Sequence, residues 1–231
     1  MQPLELQAYQ SAEAASRAAA AHIANRARAS IAERGRFLVA FSGGRSPAGM
    51  LQALSSEDLP WNLIHVFQVD ERVAPAGHAD RNLTMLRESL FERVDIPAGQ
   101  IHPMPVEAAD LEDASSTYAH TLRKVAGNPP RLDLIHLGIG DDGHTASLVP
   151  GDPVLEVRDR EIALTGVYEG RRRMTMTFPV LDGARSRVWL VIEPEKHAML
   201  ARLLDGDRSI PAGRVSADST TVFADQATAG S

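Results

Sequence analysis

Three short segments carry most of the side chains able to do chemistry. Ser42–Pro47 (SGGRSP) closes an apolar run and opens a helix. Its two glycines let the backbone approach a ligand closely, and the free N–H groups of a helix start attract an anion. The competing use of Gly43-Gly44 is a plain tight turn. Asp70-Glu71-Arg72 closes a second apolar run. An arginine there is a fork for phosphate or carboxylate, or an ion-pair partner for its own acidic neighbours, and the two uses are compatible. Asp142-Gly143-His144 sets a carboxylate and an imidazole on a glycine-kinked loop. Histidine is the side chain suited to act as a base near neutral pH, so His144 is the candidate base, not a loop-bonding surface histidine. His65 and His136 lie inside apolar strands and read as packed core. Arg171-Arg172-Arg173 reads as a solvated edge from which at most one arginine reaches a site.

Other chemistries fail on context. Gly44–Ala48 brushes against a G-x-S-x-G nucleophile elbow, but Pro47 lacks the N–H that an elbow uses after its serine. The Gly-Gly loop lacks the G-K-[ST] ending of a nucleotide P-loop. Gly138–Gly143 (GIGDDG) matches G-x-G-x-x-G after a strand, yet Asp141 and Asp142 would face a pyrophosphate, and Pro150 and Pro153 prevent a long helix. No metal-ligand spacing such as H-E-x-x-H occurs. These motifs therefore predict no bound metal, P-loop nucleotide or dinucleotide.

Elements that must position these residues alternate along the chain. Apolar runs at 37–41, 63–70, 101–104 and 132–140 read as strands, with further strands at 162–167, 174–178 and 188–192. Residues 12–34, 46–54, 81–92, 107–126 and 195–204 read as helices, with Ser46 as N-cap and Pro47 at the first helical position. The chain before residue 12 is read with the first helix. The pattern predicts an α/β fold: an open, mostly parallel Rossmann-like sheet with helices on both faces and some antiparallel strands in the C-terminal third. Ligands of such sheets bind beyond the carboxyl ends of the strands, where the three segments fall. No repeat or linker divides residues 1–231, so one domain is expected, with a flexible tail after about residue 225.

The composition agrees. The chain has 231 residues, 44% of them hydrophobic, and no cysteine, which removes disulfides and thiolate chemistry and suits a reducing cytoplasm. A net charge of −6 without a long basic run argues against nucleic acid or an anionic membrane as partner. No apolar stretch is long enough to span a bilayer, and the N-terminus lacks the pattern of a secretory signal. A few focused arginines would still hold a small anion.

Taken in order, FSGGRSP, WNLIHVFQVDERVAP, RNLTML, LDLIHLGIGDDGHTASLVPG, RMTMTFPVLDGA and the strand–helix with Lys196 resemble the 6-phosphogluconolactonase family over nearly the whole chain. Related aminosugar-phosphate isomerases/deaminases share the Gly-Gly loop and the DGH core but carry a glutamate in the following loop. Here Ser147-Leu148-Val149-Pro150-Gly151 has no acid. Val149, Ala74 and Arg81 depart from common family residues, and Glu193-Pro194-Glu195 replaces a more glycine-containing lead-in to Lys196. The resemblance implies a small sugar-phosphate lactone as substrate, opened by water without metal or cofactor. It implies His144 as base, Asp142 or Asp70 to orient it or the sugar hydroxyls, and Gly43, Gly44, Arg45, Ser46, Arg72 and Arg173 as the phosphate-holding set. A monomer or small homo-oligomer is expected. Two alternatives are an aminosugar-phosphate isomerase/deaminase and a non-catalytic sugar-phosphate-binding domain.

Overall fold

The structure is a computed structural model that describes residues 4–230. Its strands are β1 (Glu5–Tyr9), β2 (Phe37–Phe41), β3 (Ile64–Gln68), β4 (Asp70–Arg72), β5 (Ile101–His102), β6 (Leu134–Leu137), β7 (Ile162–Leu164), β8 (Arg173–Met176), β9 (Arg187–Val191) and β10 (Thr220–Asp225). The helices are α1 (Ala12–Arg34), α2 (Pro47–Ser55), α3 (Asn82–Leu86), α4 (Leu111–Ala126), α5 (Phe178–Gly183), α6 (His197–Leu204) and α7 (Gln226–Ala229). Seven strands form one sheet in the order β1-β10-β9-β6-β2-β3-β5, paired in parallel throughout. The strands β4-β8-β7 form a separate antiparallel sheet.

Strand β2 shows why the large sheet is covered twice. All five of its residues are buried. Phe37, Val39 and Phe41 join the core beneath α1 and α2, whereas Leu38 and Ala40 join the core on the α4 and α6 face. Period-two alternation with both faces apolar requires a layer on each side. Helix α1 lies close because Ala15, Ala19, Ala20, Ala24 and Ala27 line its inner face. The Ser11 hydroxyl accepts from the Ala14 amide at its start, and Gly35 closes it in the left-handed conformation.

The connections fix the location of the site. From β2 the chain runs through α2 to β3, on one side; from β5 it returns through α4 to β6, on the other side of β2. The point between β2 and β6 is therefore the topological switch, where the loops leaving the two strands diverge and open a crevice.

Two expectations are corrected. Residues 5–9 are an edge strand, not the front of α1, because β10 supplies a parallel partner from the far end of the chain. The expected antiparallel strands of the C-terminal third are β7 and β8, and β8 also pairs with β4, where Asp70–Arg72 breaks from β3 after Val69. The tail after Asp225 forms α7, its Thr228 fully buried and its Thr228 carbonyl bonded by His197 at 2.9 Å.

Candidate active site

A cavity of about 710 Å³ occupies the switch point. The loop after β2, the end of β4 and the loops after β6 and β9 line it, so the three polar segments of the sequence do converge. A volume of this order suits a small polar metabolite.

On one side is the Gly-Gly loop. A Cβ on Gly43 would sit 1.9 Å from Asn82 Oδ1, so glycine is required there by the packed asparagine. Gly44 takes φ 105°, a backbone that favours glycine. Ser46 departs from expectation: its backbone is already helical and its hydroxyl caps nothing in α2. Instead Ser46 Oγ donates to Glu193 Oε1 at 2.9 Å. Arg45 is exposed at the rim, and Arg72 reaches across the mouth to the Asp80 carbonyl at 2.8 Å, both lining the cavity.

Opposite stands His144. Its Nδ1 lies 2.6 Å from Asp142 Oδ1, which also accepts from the His144 amide at 3.0 Å. The carboxylate therefore fixes the tautomer with the proton on Nδ1 and leaves Nε2 as a base. Gly140 makes room for the ring, because a Cβ there would fall 2.1 Å from His144 Nδ1 and Cε1. Partial burial works against the charged form of Asp142, but the bonds from the His144 amide and ring and from Tyr168 outweigh it, holding its pKa below the usual carboxylate range. Asp142 itself does not line the cavity; it backs the histidine.

Asp70 is brought to the cavity but is already engaged. It is buried, with Oδ2 accepting from Ser147 Oγ at 2.6 Å and Oδ1 from Asn82 Nδ2 at 3.2 Å. Its neighbour Glu71 points the other way and organises the scaffold. Glu71 accepts from the amides of Arg72, Asn82 and Leu83 and lies 3.0 Å from Arg81 Nε, which also pairs with Glu107.

Arg173 stands apart from the rest of the expected phosphate set. It is buried and does not line the cavity. Its guanidinium lies 4.7 Å above the Tyr168 ring and pairs with Glu169 at 2.6 Å. Arg173 thus supports Tyr168, and Tyr168 is the residue sequence reasoning missed. The Tyr168 hydroxyl donates to Asp142 Oδ2 at 3.1 Å, and its ring stands edge-on to His144 with centroids 5.5 Å apart. Burial and the Asp142 charge push the Tyr168 phenol up to about 12, so it stays a donor. No pattern marks Tyr168 in the sequence, because its contact depends on the turn at 166–170 folding over the site.

Lys196 also lines the cavity, contacting Asp141 and lying 3.9 Å from Glu193. His136 is buried as expected, its strand ending at the cavity floor, and burial lowers its pKa to about 3. His65 is only half-buried, on β3 beside the edge strand β5, with its Nδ1 3.0 Å from His102 Nε2. Among the described residues, no group of three or more His, Cys, Asp or Glu side chains could hold a metal ion, and no helix is long and apolar enough to cross a membrane.

A doubly wound sheet with a glycine-rich loop and an acid–imidazole pair lining or backing a cavity at its switch point defines an α/β protein with a site for a small polar ligand. The chain belongs to the glucosamine-6-phosphate isomerases/6-phosphogluconolactonase family, whose model matches residues 10–224. It is 46% identical over 177 residues to a 6-phosphogluconolactonase of Synechocystis, covering 75% of this chain and 73% of that protein. To a 6-phosphogluconolactonase of Pseudomonas aeruginosa it is 35% identical over 214 residues, covering 89% and 88%. The crystal structure of a 6-phosphogluconolactonase from Thermotoga maritima is 27% identical, with a TM-score of 0.84 and coverage of 96% and 98%. A glucosamine-6-phosphate deaminase, 18% identical, superposes with a TM-score of 0.85 over 98% and 99%, so both branches share the fold.

Proposed function

We propose that this chain hydrolyses 6-phospho-D-glucono-1,5-lactone to 6-phospho-D-gluconate, the lactone-opening step of the oxidative pentose phosphate pathway, in the cytoplasm. The observation that carries the chemistry is His144, oriented by Asp142 at 2.6 Å on the wall of a cavity whose opposite side is the Gly-Gly loop.

The sugar phosphate lies across the cavity. Its phosphate rests on the amides of Gly43 and Gly44, with Arg45, Ser46, Arg72 and Lys196 as the cationic and hydroxyl partners. At the other end the lactone carbonyl faces His144. The imidazole Nε2 takes a proton from water as the water oxygen bonds to the carbonyl carbon. Asp142 stabilises the imidazolium that forms. The tetrahedral intermediate then expels the ring oxygen, which takes the proton back from Nε2 and leaves a free carboxylic acid and a hydroxyl. A lactone is an activated ester, so one base and a place for negative charge suffice. The loop at 145–151 carries no acid for the extra proton transfers of aminosugar isomerisation, and its Thr145 and Ser147 are buried.

The test follows acid release from freshly made phosphogluconolactone against its spontaneous opening. Wild type should accelerate it, and His144→Ala should bind the substrate yet lose on the order of 10²–10⁴ in turnover. Glucosamine 6-phosphate should yield no ammonia. Ammonia release at a rate comparable to lactone opening, or a His144→Ala variant with more than about a tenth of wild-type turnover, would reverse the assignment.

A further inference from the structure

The end of the cavity that suits a phosphate already holds acids. Glu193 follows β9 and lines the cavity with its side chain mostly buried. One of its oxygens accepts from Ser46 Oγ at 2.9 Å, and the other lies 3.9 Å from Lys196 Nζ. Lys196 in turn contacts Asp141. The hydroxyl that would cap α2 is therefore spent on a carboxylate, and the lysine is shared by two. The short turn at Pro194–Lys196 holds the arrangement, since the Lys196 amide donates to the Glu193 carbonyl at 2.8 Å.

A phosphate dianion needs the same partners: a hydroxyl donor at the loop and an ammonium beside it. It gains them only as the carboxylate lets go, and it then sits near a like charge in a cleft where screening by salt is incomplete. We infer that Glu193 is an affinity-determining residue that competes with the substrate's phosphate for Ser46 and Lys196, loosening the substrate and easing release of the phosphorylated product. The inference rests on the reading that places the phosphate at the Gly-Gly loop. The product carries a new carboxylate besides its phosphate, so weakened anion binding acts most where a tightly held product would slow turnover.

The decisive variant is Glu193→Gln, which keeps a carbonyl oxygen for Ser46 and removes the charge. Inhibition by inorganic phosphate, inhibition by 6-phosphogluconate and the KM for the lactone are measured side by side with Ser46→Ala and Arg72→Ala. In Glu193→Gln all three constants should fall together, by about fivefold at low salt and less as ionic strength rises. Ser46→Ala and Arg72→Ala should move them the other way. Constants within about twofold of wild type in Glu193→Gln, with Ser46→Ala or Arg72→Ala weakening phosphate, would overturn the role of Glu193 and leave the phosphate site standing. Weaker anion binding in Glu193→Gln would overturn it too, because the carboxylate would then be positioning Lys196. If none of the three variants changes phosphate inhibition, the phosphate lies elsewhere and the underlying reading fails with the inference.

Discussion

Replacing Gly140 by alanine tests the proposed base through shape alone, leaving every ionisable group in place. The backbone of Gly140 is not left-handed, so alanine adds no conformational strain there. The difficulty is the Cβ, which would lie 2.1 Å from His144 Nδ1 and Cε1 and 2.9 Å from Cγ. Carbon and nitrogen atoms pack without overlap near 3.5 Å, so the ring must retreat by roughly 1 Å or more. That retreat stretches the 2.6 Å bond from Nδ1 to Asp142 beyond hydrogen-bond range or swings the ring out of line with it. The loop cannot move as a body to absorb the clash, because the Gly140 amide donates to the His144 carbonyl at 2.9 Å and the Gly143 amide to the Gly140 carbonyl at 3.0 Å. Misplacing a catalytic group by about 1 Å costs on the order of 10²-fold. Turnover of the lactone, followed by acid release, should therefore fall about a hundredfold, while KM shifts far less because the phosphate end is untouched. Gly99→Ala, where a Cβ meets nothing within 4 Å, controls for loss of a glycine as such. A Gly140→Ala enzyme keeping more than about a third of wild-type turnover would show that the His144–Asp142 geometry does not limit the reaction.

Tyr168→Phe removes only the hydroxyl on Asp142 Oδ2. The carboxylate loses a donor and holds the His144 imidazolium more firmly, so the acid limb of the kcat/KM profile should move to higher pH and kcat fall by about three- to tenfold; an unmoved limb would show that Tyr168 merely packs. His136 is neutral in the fold with its pKa lowered to about 3, whereas the unfolded chain takes up a proton near 6.5, so the stability it permits is complete above that pH and is lost as pH falls toward 3. Urea unfolding should show a shallower decline between pH 7 and 4.5 in His136→Leu, the difference reaching about 3 kcal/mol, and parallel curves would refute the burial argument. Arg81→Ala leaves Glu71 buried without its ion-pair partner and should cost about 3–5 kcal/mol in the same assay, a loss under about 1 kcal/mol being the refuting result.

The sheet order could not be read from the sequence, but its consequence could. SGGRSP, DER and GDDGH each follow an apolar run, and parallel strands put such ends on one side. The two strands overlooked, β1 and β10, pair with each other across more than two hundred residues, and a long alanine helix beside the first hides it. Residues 63–70 read as one strand because Val69 continues the apolar run up to Asp70; that they serve two sheets depends on β8 arriving from a distant part of the chain. His144 and Asp142 were legible because two residues on one kinked loop must be close. Tyr168, Glu193 and Asn82 were not, since each meets its partner only through tertiary folding. The surroundings of Arg173 were hidden for the same reason: nothing local shows that Glu169 and the Tyr168 ring enclose its guanidinium.

The seam between the two sheets gives the site a mechanical property. Asp142 and His144 hang from the large sheet, whereas Tyr168 and Arg173 belong to the small one, and the only residue between β3 and β4 is Val69. Among the bonds that cross the seam, Ser147 bonds to Asp70 and Thr175, Gln68 to Glu71, and Tyr168 to Asp142. A slight tilt of one sheet against the other would slacken the Tyr168–Asp142 bond while the His144–Asp142 pair, both on the loop after β6, stayed whole. The alignment of the acid–base pair thus works as a strain gauge for the packing between the layers. Substitutions at the completely buried Met174 or Met176, which flank Thr175 on β8, would therefore register in the catalytic rate as well as in the melting of the fold.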